Sequence, residues 1–130
     1  MTSVQRYAAA MLAERVGLGV AAIAAPGPLL AVFGAPEGSD GPVMRYFARI
    51  FGIRNIALGL QVWDARDDVE RLRQLALLNA AVELSDAVAG AVTAARSPEM
   101  RRAGAATVAT SLAVASGFVG LSVVAGRHRT

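Results

Sequence analysis

Apolar runs separated by short charged interruptions divide the chain into four segments. The last is the clearest. Ala103 to Ala125 holds twenty-three residues without a charge, bounded by Arg101 and Arg102 before it and Arg127 and Arg129 after it. At ~1.5 Å per residue a helix over this stretch reaches about 34 Å, enough to cross a hydrocarbon core of ~30 Å. Leu75 to Ala95 is similar in length but contains Glu83 and Asp86. Tyr46 to Trp63 would cover about 27 Å as a helix, with an aromatic residue at each end where interfacial anchors belong. The first segment runs from Tyr7 to Phe33 and is broken by Pro26-Gly27-Pro28. Its helical part is expected over Tyr7 to Ala25, with Leu29 to Phe33 lying along the membrane interface.

The connections are short. Gly34 to Arg45 reads as a turn-rich loop, and Asp64 to Arg73 as a charged loop or an extra helical turn. Ser97-Pro98-Glu99 is placed as the N-cap of the last helix. The predicted fold is all-α: one domain over residues 1–130, an antiparallel four-helix transmembrane bundle with short loops. Small residues recur every four positions, at Gly17-Ala21-Ala25, Ala113-Gly117 and Ser116-Gly120, the spacing that lets membrane helices approach. An alanine-rich chain generates such spacings by chance, so they carry little weight as a contact face.

Composition agrees with this pattern. Apolar residues make up 55% of the 130 and charged residues 18%, and the mean hydropathy is +0.46. A soluble domain carries about a quarter charged residues, so disorder is excluded and the balance argues against an ordinary water-soluble globule. The absence of cysteine removes disulfides, thiolate catalysis and zinc–thiolate sites. The single histidine, His128, reads as a solvated tail residue, so a histidine metal site or a Ser-His-Asp relay lacks its parts. No metal and no cofactor is expected. All thirteen basic residues are arginine and the net charge is +3. The arginines bracket apolar runs rather than clustering with aromatics, which argues for a membrane and against nucleic acid.

The N-terminal apolar run carries Glu14 and Arg15 and lacks a small-residue cleavage site, so a signal peptide is not expected. Arginines near the span ends number six on the side of the termini (6, 66, 71, 73, 127, 129) and five on the other (45, 49, 96, 101, 102). The expectation is a multi-pass protein of the cell membrane with both termini cytoplasmic.

Ionisable groups within the apolar runs are the informative residues, because each costs ~2.5–3.5 kcal/mol at a helix centre on insertion scales. On the third segment, Asn79, Glu83, Asp86, Gly90 and Thr93 fall at i, i+4, i+7, i+11 and i+14, one helical face. On the second, Arg54 and Gln61 share a face; on the first, Arg15 follows Glu14. Counted from the shared side, Arg15, Arg54 and Glu83 lie at one depth, ~12–14 Å in, with Asp86 about a turn deeper. Arg54 is therefore expected to contact Glu83 or Asp86. Trp63 reads as an interfacial anchor, and Met11 and Met44 as packing residues.

Several of these residues carry a resemblance. Arg15-Val-Gly-Leu-Gly, Pro28, Phe33-Gly-Ala-Pro36, Phe51-Gly-Ile-Arg54-Asn55-Ile-Ala-Leu-Gly59-Leu and Glu83-Leu-Ser-Asp86 resemble the landmarks of small four-span membrane proteins. These are domain-of-unknown-function families of actinobacterial type, broadly DoxX-like. The resemblance covers most of the chain. It implies a Gly-x-Arg-Asn-x-x-x-Gly element at Gly52, Arg54, Asn55 and Gly59 and a paired acid at Glu83 and Asp86, without implying an established activity.

Two functions follow. In the first, Asp86, Glu83 and Arg54 are catalytic residues of a cofactor-independent acid–base enzyme. Two nearby buried carboxylates titrate apart, which supplies an acid and a base. Arg15, Asn55, Gln61 and Asn79 would bind a lipophilic small molecule undergoing cyclisation, isomerisation or epoxide opening. In the second, the charge cluster is structural. The chain is then a small transporter or channel subunit, working as a homo-oligomer, or an accessory protein. A dead-end cavity at these residues favours the enzyme, and a tightly packed cluster favours structure.

Overall fold

The computed structural model describes residues 1–127; His128 and Arg129 lie outside the described residues. The described residues are helical and contain no strand: α1 (Ser3–Ala24), α2 (Pro26–Val32), α3 (Pro42–Asp64), α4 (Val69–Arg96) and α5 (Arg101–Arg127). Three stretches are long and apolar enough to cross a membrane: α1, α4, and Pro98–Arg127, which comprises a 3-10 turn and α5. The 23 residues of α3 span a comparable length, but Arg45, Arg49 and Arg54 lower its hydropathy.

Local chemistry sets the ends. Thr2 and Gln5 form a reciprocal capping box at the start of α1, each side chain satisfying the other's backbone N–H. Pro26 ends α1 and then supplies the first residue of α2. The stretch around Leu29, expected as an interfacial segment, is thus a short helix. Asp68 caps α4 by accepting from the Arg71 N–H at 3.0 Å, which shortens the expected Asp64–Arg73 loop to four residues. The Ser97 side chain makes no cap hydrogen bond; Pro98–Met100 forms a 3-10 turn instead and hands the chain to α5.

The four long helices form two hairpins, α1 with α3 and α4 with α5, packed along their lengths and touching each other more sparsely. Each hairpin is closed by a pair of glycines. A Cβ on Gly19 would lie 2.6 Å from the Gly52 carbonyl oxygen, and one on Gly104 would lie 2.5 Å from that of Gly90. Nothing larger than hydrogen fits there. The expected Gly17 face is not the contact: Gly17 has open space around it, and the helix presents Gly19 two residues on. Gly117 and Gly120 do meet α1, at Met11 and at the Tyr7 hydroxyl, and that hydroxyl donates to the Gly117 carbonyl at 2.8 Å.

Large apolar side chains face outward along the helices, and several polar ones are buried among apolar neighbours. Leu60, Leu77, Leu78, Leu84, Val88 and Leu112 are each about half exposed or more, while the buried set is rich in Ala and includes Arg15, Asn55, Asn79 and Glu83. A bilayer would accept outward Leu and Val, and polar groups within hydrocarbon need partners inside the protein. The apolar core lies at one end, where Val4, Met11, Val62, Leu72, Phe118 and Leu121 bring together both chain ends and the α3–α4 loop. Trp63 at that end lies under Arg66, whose guanidinium carbon stands 4.4 Å from the ring centroid.

Candidate functional site

Among the described residues three guanidinium–carboxylate pairs join the hairpins: Arg71 with Asp64 at 3.0 Å, exposed beside the α3–α4 loop, and two within the bundle. Arg15 on α1 is fully buried and reaches across to Glu83 on α4. Its Nη1 donates to Glu83 Oε1 and to Asn55 Oδ1, the latter at 2.6 Å, and its Nε donates to Asn79 Oδ1 at 3.1 Å. The two amides are aimed by their own helices. Asn55 Nδ2 donates to the Phe51 carbonyl and Asn79 Nδ2 to the Leu75 carbonyl, both at 2.9 Å and both four residues back. That leaves each amide oxygen turned toward Arg15. The guanidinium also stands 5.0 Å from the centroid of Phe118 on α5. One side chain therefore engages every long helix. Arg15 fits because Gly59 faces it: a Cβ there would lie 2.8 Å from that of Arg15.

Arg54 on α3 meets Asp86 on α4 at the expected position, with Nη2 donating to Oδ2 at 2.6 Å and Nη1 to Oδ1 at 3.4 Å. The pair is more open. The side chains are 39% and 23% exposed, against 1% and 7% for Arg15 and Glu83. Arg54 also lies 5.2 Å from the centroid of Phe51.

Between the hairpins, toward α2 and the 3-10 turn, is a cavity of about 370 Å³. Leu18, Leu30, Phe33, Phe47, Phe51 and Met100 give it a mostly apolar wall. Glu14, Glu83 and Asp86 contribute carboxylates, and Thr107, Thr110 and Ser111 hydroxyl-bearing side chains. Beyond Glu83 the interior is filled by Arg15 and Phe118, so the cavity meets packed core at that end. Its size lies within the range of small-molecule sites, ~300–1,000 Å³.

The residues singled out in the sequence divide three ways. Glu83 and Asp86 line the cavity, and Arg54 holds Asp86 at its edge. Arg15, Asn55 and Asn79, expected to bind substrate, are buried in mutual contact and are not part of the cavity wall. Gln61 is exposed and stands apart from both groups. Met11 packs in the core as expected, whereas Met44 lines the cavity.

Glu14 was not singled out, yet it lines the cavity, and its Oε2 is buried with no hydrogen-bond partner among the described residues. Neighbouring helical residues point ~100° apart, so Arg15 turns into the packed cluster while Glu14 turns into the space beside it. The spacing of Thr107, Thr110 and Ser111 at i, i+3 and i+4 is visible in the sequence, but in a charge-free run it is indistinguishable from chance.

No protein-family model, no curated protein and no solved structure matches the chain.

Proposed function

We propose that this chain is an integral membrane protein whose four long helices all cross the bilayer, and which takes a lipophilic small molecule into the cavity between its hairpins for acid–base chemistry. One observation carries the reading: an apolar cavity of about 370 Å³ with carboxylates in its wall, beside a fully packed core. As the fourth span, α3 is supported by its 23-residue length and by the outward Tyr46, Ile50, Ile53 and Leu60. Both termini then share one side, cytoplasmic by the arginine balance. The resemblance to small four-span families belongs to the same proposal.

Within the site, Asp86 is the base. Arg54 holds it in place through both carboxylate oxygens, so it can remove a proton from a substrate carbon or hydroxyl and return it elsewhere. That suits isomerisation or cyclisation of a lipophilic metabolite. Glu83, held by Arg15, forms part of the wall and fixes the hairpins. The non-catalytic alternative, a transport subunit or accessory protein, draws on the two-point Arg54–Asp86 contact, which engages both carboxylate oxygens as a register-fixing pair would.

Mass spectrometry of hydrophobic molecules carried through purification tests the proposal. The parent protein is expected to retain a lipophilic small molecule, and Ala48→Trp, which fills the cavity, to lose it. Asp86→Asn keeps shape but not basicity. It should stay folded and carry an unconverted precursor of different structure, with turnover lower by about 10²-fold or more. The same molecule in the same amount on both would support the non-catalytic alternative. Equal retention by Ala48→Trp would remove the cavity from the account.

A further inference from the structure

The charges around the cavity do not balance within the protein. Its wall holds three carboxylates, Glu14, Glu83 and Asp86, and no arginine belongs to that wall. Two guanidinium groups reach the wall from outside, and each already pairs with one carboxylate, Arg15 with Glu83 and Arg54 with Asp86, although Arg15 Nη2 and Arg54 Nε are buried without a hydrogen-bond partner among the described residues. Glu14 is left over. Its Oε2 is shielded and without a hydrogen-bond partner among the described residues, while the neighbouring Arg15 directs its bonds to Glu83, Asn55 and Asn79.

A carboxylate in a mostly apolar wall, with Thr107, Thr110 and Ser111 as its hydroxyl-bearing side chains, is costly unless it meets an opposite charge or a donor. The aromatic wall adds to this preference. Phe51 already lies beside Arg54, but Phe33 and Phe47 remain in the wall, and ring faces attract cations. From this complementarity we infer that the occupant is a lipophilic cation, an amine or ammonium group on an apolar body. Its charged end meets Glu14 and its body lies along the apolar wall. The inference rests on the reading that the cavity holds a lipophilic molecule, and it names the class of that molecule.

Three ten-carbon probes separate charge from hydrophobicity: n-decylamine, n-decanol and n-decanoate. Each is titrated calorimetrically into protein in phosphatidylcholine nanodiscs at neutral pH, with empty nanodiscs subtracted. The amine is expected to bind saturably, about tenfold or more tighter than the alcohol, as a charge-assisted hydrogen bond provides, and decanoate to bind most weakly. Glu14→Gln should bring the amine down to the affinity of the alcohol, and Ala48→Trp should weaken both. Equal affinity of amine and alcohol for the parent protein overturns the cation assignment and leaves the cavity reading standing. An amine preference that survives Glu14→Gln overturns the assignment to Glu14. Saturable binding of none of the probes overturns both. The comparison of probes on the parent protein decides the charge preference even where a variant fails to fold.

Discussion

Arg15–Glu83 and Arg54–Asp86 use the same chemistry to tie the α1–α3 hairpin to α4, and their carboxylates lie three residues apart on one helix. Their surroundings differ. Arg15 is enclosed, with two asparagine oxygens and an aromatic face beside Glu83, and its Nη2 is buried without a hydrogen-bond partner among the described residues. Arg54 is partly exposed and lies behind Asp86, its principal partner, which lines the cavity. The Arg15 guanidinium is fully buried and outside the cavity wall, so its value is geometric: it holds Glu83 and fixes the register of the hairpins. An open pair at a cavity edge can rearrange when something enters. The comparison teaches that a buried charge cluster need not have one role throughout.

Removing Arg15 has the largest expected effect. Arg15→Met leaves Glu83 buried without its guanidinium, which typically costs ~3–5 kcal/mol. Thermal unfolding in detergent should show this loss, and Arg15→Met combined with Glu83→Leu should recover much of it. A stable single variant would contradict the enclosed-clamp account.

A smaller loss is expected for Arg54→Ala, about 1 kcal/mol, since exposed pairs and interhelical polar contacts in membranes are both worth about this much. The openness of the pair is the reason. A double-mutant cycle with Asp86→Asn measures the coupling directly. A coupling as large as that of Arg15 with Glu83 would erase the distinction between the two pairs.

The smallest effect is expected at a third pair, far from both. Asp40, in the loop before α3, accepts from Arg45 Nε and Nη2 at 2.9 and 3.1 Å. Hydrogen bonding to Arg45 holds the Asp40 carboxyl below its ordinary range, despite slight desolvation. The folded-state value is lower than the unfolded one, so any stabilisation is complete above the unfolded value of ~3.9 and fades as pH falls through the folded one. Melting curves of Asp40→Asn should therefore differ slightly from those of the parent at neutral pH and converge with them on acidification. A difference that grows in acid would assign the wrong sign.

Helix positions and the break at Pro26 were legible in the chain, because hydropathy and proline chemistry act over a few neighbouring residues. The short helix α2 and the 3-10 turn after Ser97 were less so, since single turns depend on what they pack against. Tertiary structure alone decided the partners. The sequence left Arg54 open to either Glu83 or Asp86 and named no particular partner for Arg15. Which carboxylate met which arginine followed from the rotation of each helix about its axis. That rotation is fixed where backbones cross, at Gly19 with Gly52 and at Gly90 with Gly104. It turned Arg15 into the packed interior and Glu14 into the cavity. A sequence pattern states what a helix face carries; the face it meets depends on the crossing point, which belongs to two helices at once.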